Sequence, residues 1–407
     1  MPLDFDSVPS PVLGVIEALR FNDRSTERLH RIAENEWPAL LTWSDARQLT
    51  LLLHALCGEE LPQSVQDRLS RNHAGGVLRL ARITGEFAEI ASTLNRRGVE
   101  FALLKGMSHA PALTPDPVLR AQGDIDLWFG ADALPEARAV LTELGYAPGF
   151  RARTRHDSRH LPPMARPGNW TWRGNMFDPE MPIHVEAHFQ LWSKDAEHIS
   201  IPGQSDFWNR RILRDFDGQS ASVLCLPDLL GFAALHLLLH LLHGDLPLQR
   251  AWEIAHFLHV RAGDEMFWSA WRRLHSPALR RLEAVAFAIT QIWFRCNVND
   301  CVTREVGALT EDVQLWLDHY ALSPLKQHSA PNKDELWLHL ALIPSAAGRA
   351  RVLLRRLFPL VLARKGGLSR ARVAHHSRTL TPTVLDGLHW MWRKRQGNRM
   401  VVPAPSQ

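Results

Sequence analysis

For almost its first hundred residues the chain sets apolar side chains three and four positions apart, and beyond Arg96-Arg97-Gly98 that rhythm stops. Val12, Val15, Ile16 and Leu19 form one such stripe, and Leu78, Leu80, Ile83, Phe87, Ile90 and Leu94 form another. The spacing predicts helices. Basic residues beside the last carbonyls, with a glycine after them, predict where the second one ends. A short apolar run follows, Val99-Glu-Phe-Ala-Leu-Leu104, closed by Lys105-Gly106. Asp124-Ile-Asp-Leu-Trp-Phe129 is a second, and a helix from about Leu134 to Leu144 then stops at Gly145-Tyr146. From Pro182 to Trp192 the alternation is strict, with Ile183, Val185, Ala187, Phe189 and Leu191 on one side and His184, Glu186, His188 and Gln190 on the other. Such runs predict three strands of a small α/β module set between helices.

From Leu226 onward the helical period returns, over Leu229–Leu242, Leu248–His259, Phe267–Leu274 and Leu279–Phe294. Leu229–Leu242 is short of the ~20 apolar residues a membrane helix needs and contains His236 and His240, so no transmembrane segment is expected. The chain divides into an N-terminal helical region (1–97), a sheet-containing core (98–225), a helical domain (226–345) and a basic helical segment (346–407). Residues 147–181 have no clear period and hold Trp170 and Trp172. A stretch that long is expected to flank a pocket or to conceal hairpins.

Of the 407 residues, 45% are hydrophobic and 22% charged, which excludes wholesale disorder and collagen-like repeats. Four scattered cysteines without a C-x-x-C pair point to a reducing compartment, and the acidic start has no apolar stretch typical of a secretory signal. A cytoplasmic location is expected. Between Arg349 and Arg399 thirteen Lys and Arg stand against one acid, Asp386, so this part of the chain is a candidate contact for an anionic surface or nucleic acid. Tryptophans such as Trp252, Trp268, Trp271 and Trp293 sit within helical patterns and read as core, not as a base-stacking stripe.

The chemistry concentrates in the second strand. Asp124 and Asp126 are two residues apart, so the pleat sends both carboxylates to one face, where they repel unless a proton or cation compensates. Mg²⁺ suits them, since it takes a few carboxylate oxygens and completes its shell with phosphate and water. Glu186 lies on the polar side of the third strand and offers a third carboxylate. The Leu104-Lys105-Gly106 turn is expected to open a helix whose free N–H groups, together with the lysine, suit a triphosphate. Ser108 is either a phosphate donor or a helix cap.

Taken together, Leu103-Leu-Lys-Gly106, Leu119-Arg120, Gly123-Asp-Ile-Asp-Leu127, Gly145-Tyr146 and Val185-Glu-Ala-His188 resemble the uncharacterised bacterial nucleotidyltransferase family of the DNA polymerase β-like superfamily. His236, His240 and Trp252-Glu-Ile-Ala resemble that family's helical half. The resemblance implies an α+β fold, a small mixed β-sheet core with flanking helices plus an N-terminal helical segment and a C-terminal helical domain. It implies that Asp124, Asp126 and Glu186 are catalytic and hold Mg²⁺, as two ions, or Mn²⁺. Lys105, Gly106, Ser108 and Arg120 would then bind the nucleotide, an NTP and by abundance ATP, whose NMP passes to a hydroxyl of a small molecule, peptide or protein. The superfamily's usual Gly-Ser after the first strand is Lys105-Gly106 here.

Two other readings remain at this level. His184, Glu186 and His188 share a strand face, and His236 and His240 lie one helical turn apart, a pattern that also fits a zinc metallohydrolase. Alternatively, a catalytically inactive nucleotidyltransferase fold could bind a partner through its basic C-terminal segment.

Overall fold

The second apolar stripe becomes one helix of 34 residues, Gln63–Arg96. Its buried side includes Ile83, Phe87, Ile90 and Leu94, and each such side chain withdrawn from water is worth about 1.5–3 kcal/mol. It ends where expected. Gly98 adopts φ +66°, and the N–H of Val99 turns back to the carbonyl of Leu94 at 3.0 Å. The structure, a computed structural model, describes residues 3–148, 159–245, 247–357, 387, 390 and 391.

Seven strands form one mixed sheet. In chain order they are β1 (Phe101–Leu103), β2 (Asp124–Phe129), β3 (Ala147–Pro148), β4 (Met164–Ala165), β5 (His184–His188), β6 (Ile212–Phe216) and β7 (Gln219–Val223), and across the sheet they run β3-β4-β5-β2-β1-β7-β6. β2 pairs parallel with β5, and β1 parallel with β7; the remaining neighbours are antiparallel. The fold is therefore α+β, with helices on both sides of the sheet.

The alternation along the strands decides what each face meets. Phe101, Leu103, Ile125, Leu127, Phe129, Val185 and Ala187 pack with the Gln63–Arg96 helix and with Ala137, Val140 and Leu141 of the helix Leu134–Glu143. Ala102, Leu104 and Trp128 face the other way and join a larger core built from the helices of residues 10–57 and of residues 226–357. Asp124, Asp126, Glu186 and His188 belong to that second face. The polar positions of β2 and β5 thus look toward the helical half.

Some expectations need correction. The run Pro182–Trp192 is strand only over His184–His188. After Lys105-Gly106 there is no α-helix but a single 3₁₀ turn, Gly106–His109, because Gly106 sits at φ +64° and Pro111, Pro115 and Pro117 follow closely. The hairpin β6–β7 escaped the sequence reading, although Asp217-Gly218, both at positive φ, is a strong two-residue hairpin signal. The helix expected over Leu229–Leu242 runs from Leu226 to His243; its 18 residues are long and apolar enough to cross a membrane, and 78% of them are buried inside the molecule. It serves as the central strut of the larger core.

Residues 147–181 do conceal a short hairpin, β3 with β4, and residues 149–158 lie outside those described. Most of the basic stretch 349–399 also lies outside them. Of its described part, Val352 is in the core, Arg356 pairs with Glu335, and Trp390 stacks on Trp337 with centroids 6.5 Å apart. All four cysteines are free thiols.

Candidate active site

The parallel register of β2 and β5 puts Asp124 opposite His184, Asp126 opposite Glu186 and Trp128 opposite His188. Because side chains alternate, both aspartates and Glu186 project from one face, and His188 projects beside them. The three acids expected from the sequence are brought together.

Asp126 is the hub. Only 2% of its side chain is exposed, and its Oδ1 accepts from Lys105 Nζ at 2.6 Å and from His188 Nε2 at 2.7 Å. His188 Nε2 also lies 3.5 Å from Glu186 Oε2, and His160, from the segment before β4, brings its Nε2 to 3.8 Å from the same oxygen. The ligand atoms offered by Asp126, Glu186 and His188 all lie within 4.8 Å of one another. Two carboxylates and an imidazole converging in this way fit a divalent cation, and the imidazole extends the choice from Mg²⁺ toward Mn²⁺. A cation there competes with the Lys105 ammonium for Asp126.

The electrostatics divide the acids. Burial, and then the negative charge of Asp126 and Glu186, push the Asp124 carboxyl up to about 6. Burial acts the same way on Asp126, but the Lys105 ammonium followed by His188 override it and hold that carboxyl far below the usual carboxylate range. Glu186 is also held low, with burial outweighed by the His188 hydrogen bond and the Lys105 charge against the repulsion of Asp126. Two firm anions therefore adjoin one carboxyl that titrates near neutrality.

The expected nucleotide-binding residues separate. Lys105 leaves β1 and reaches Asp126 directly, while the backbone N–H of Leu104 bonds to the carbonyl of Asp126 at 3.1 Å. Gly106 is required by the turn, since a Cβ there would come within 2.5 Å of Gln122 Oε1. Ser108 is buried, with its hydroxyl donating to the carbonyl of Lys105 at 3.2 Å. Arg120 is committed to a buried ion pair with Glu253, which also accepts from His109 Nδ1 at 3.1 Å. Burial would raise Glu253, yet Arg120 and then His109 bring it down to about 2.

The helical half closes over this face. His236 and His240, on the helix Leu226–His243, meet Nε2 to Nε2 at 3.2 Å, and burial followed by the nearby Arg250 guanidinium holds both well below the ordinary histidine value. Among the described residues, neither this pair nor His184 joins the group of converging ligands. Of the zinc pattern in the sequence, Glu186 and His188 belong to that group and the other histidines do not.

Arg79, on the Gln63–Arg96 helix, escaped the sequence reading. It is 3% exposed and donates to the carbonyls of Gln122 at 2.6 Å and Met181 at 2.7 Å, with those of Gly123 at 3.4 Å and Pro182 at 3.5 Å in reach. These residues lead into β2 and β5, so one guanidinium fastens the entrances of both carboxylate-bearing strands. A lone arginine in a helical stripe carries no signal of such a role. His160 was equally hidden, because its approach to Glu186 depends on the fold of the irregular segment.

No curated protein and no solved structure matches the chain. A family model, described as uncharacterised nucleotidyltransferase, matches residues 33–295, which takes in the 34-residue helix, the whole sheet and the helices that carry His236, Arg250 and Glu253. With well over half of its length matched and the acids of β2 and β5 facing one another inside that span, the chain belongs to the uncharacterised nucleotidyltransferase family.

Proposed function

We propose that the protein transfers a nucleoside monophosphate, from ATP, to a hydroxyl of a small molecule, peptide or protein. The observation that carries this reading is the register Asp126 against Glu186, with His188 Nε2 at 2.7 Å from Asp126 and 3.5 Å from Glu186. Asp126, Glu186 and His188 would hold one divalent ion, Mg²⁺ or Mn²⁺, and Asp124 on the same strand face would serve a second. When bound, such ions draw charge from the phosphate oxygens and bring the attacking hydroxyl into line with the α-phosphorus.

The chain's own groups supply the rest. Asp124, whose carboxyl burial and the neighbouring acids push up to about 6, would give up its proton as the second ion binds. Lys105 holds Asp126 in place and adds positive charge beside the carboxylates. Arg120 supports this from behind, keeping Glu253 anionic and the helix Leu248–Val260 fixed against the segment before β2. The helical half, which faces the carboxylates, would receive the acceptor.

The test is transfer of label from α-³²P-labelled NTPs to cell-extract components or to the protein itself, with Mn²⁺ or Mg²⁺ present. Labelling by the native protein that falls by at least about a hundredfold in Asp124→Asn is expected for loss of a ligand to the second ion. Equal labelling by the two proteins, or none by either, contradicts the proposal.

A further inference from the structure

Among the described residues, Arg250 differs from Lys105, Arg120 and Arg79 in how it is held. Lys105 is paired with Asp126, Arg120 with Glu253, and Arg79 is saturated by backbone carbonyls. Arg250 has no carboxylate within ion-pair distance among the described residues. Its Nη1 meets only the imidazole of His236, at 2.6 Å from Nε2 and 2.8 Å from Nδ1, and its Nε is shut away from solvent without any acceptor. His236 cannot neutralise it, since burial and then Arg250 itself keep that ring uncharged. A shielded guanidinium facing a neutral ring, with one N–H unsatisfied, is costly unless an anion completes it.

The position says which anion. Arg250 lies three residues before Glu253, the partner of Arg120 beside β2, on the helix Leu248–Val260, and it feels the charges of both Asp124 and Asp126. Sheet and helix therefore bring opposite charges near one another. That pattern complements a cation–polyphosphate pair, the cation toward the acids and the phosphates toward the guanidinium. Arginine's planar fork suits phosphate oxygens.

We propose that Arg250 is the polyphosphate-binding residue of the site, receiving the β- and γ-phosphates of the nucleotide in the role the sequence had assigned to Arg120, with His236 behind it as a positioning residue. This rests on the nucleotide-transfer reading above and adds the residue that recognises the leaving group.

Calorimetric titration of the full-length protein with inorganic tripolyphosphate, in EDTA, tests it without turnover. The native protein is expected to bind tripolyphosphate more tightly than inorganic phosphate, and Arg250→Met to lose roughly ten- to a hundredfold in affinity, as for a charge-assisted contact. Arg250→Lys, which keeps the charge and guards against a folding defect in the first variant, is expected to lose roughly three- to tenfold because the fork is gone. Asp126→Asn should bind at least as tightly as the native protein. Unchanged affinity in the arginine variants overturns the assignment, as do equal affinities for phosphate and tripolyphosphate, or no tripolyphosphate binding by native protein that still takes up Mn²⁺. Arg250-dependent binding in a protein that fails the labelling assay would leave this inference standing and remove the transfer reading.

Discussion

Asp124 and Asp126 were legible as a pair because a strand of period two leaves no freedom over which face they share. Glu186 was legible for the same reason. His188 as their companion was not, since its approach to Asp126 depends on the register between segments some sixty residues apart, which no local pattern encodes. Arg120, whose place beside the motif suits a phosphate contact, pairs in the fold with Glu253, 133 residues away, a partner no local pattern shows. Arg79 shows how much rests on one side chain at this scale. Replacing it by Met leaves at least two half-buried carbonyls without a donor and is expected to lower stability by about 1–3 kcal/mol in urea denaturation. A variant as stable as the native protein would show that the strand entrances do not depend on it.

At the scale of elements the helices were read well and the connections less so. The Gln63–Arg96 helix announced both its buried stripe and its stop, whereas β6 and β7 hid in a stretch with exposed Ile212 and Leu213, where hydrophobic alternation is blurred. Helix pairing depends on a buried cluster that the sequence did not single out. His275 sits between Asp228 of the helix Leu226–His243, at 3.1 Å, and Glu283 of the helix Pro277–Phe294, at 2.8 Å. Gly231 gives it room, since a Cβ there would lie 2.8 Å from both Glu283 Oε1 and His275 Cε1. Burial pulls the imidazole down, but Glu283 and Asp228 together lift it from 6.5 to about 9. The folded state thus favours the protonated ring, so its contribution is complete below 6.5 and disappears as the pH climbs through 9. That amounts to about 3 kcal/mol, and denaturation midpoints taken from about pH 6 to about pH 9.5 are expected to fall more steeply in the native protein than in His275→Gln. Parallel profiles would mean that the ring is not charged in the fold.

The whole molecule is organised by the two faces of one sheet. One face is sealed by the Gln63–Arg96 and Leu134–Glu143 helices, and the other carries the acids toward a helical half assembled from both ends of the described chain. This joining of early and late helices across the sheet was beyond the sequence, which shows which side of a helix is apolar but not which distant helix it meets. It also explains why a site rich in charge can exist inside a largely apolar body: β2 and β5 supply anions, Lys105 pairs with Asp126, and the helical half supplies Arg250. The claim on which the account stands is that Asp126, Glu186 and His188 converge on one cation. Mn²⁺ binding followed by electron paramagnetic resonance tests it most directly, in the native protein beside Glu186→Gln and His188→Ala. The account predicts tight binding by the native protein and a loss of roughly tenfold or more in each variant, as for removal of a metal ligand; Mn²⁺ affinity unchanged by both substitutions would contradict it.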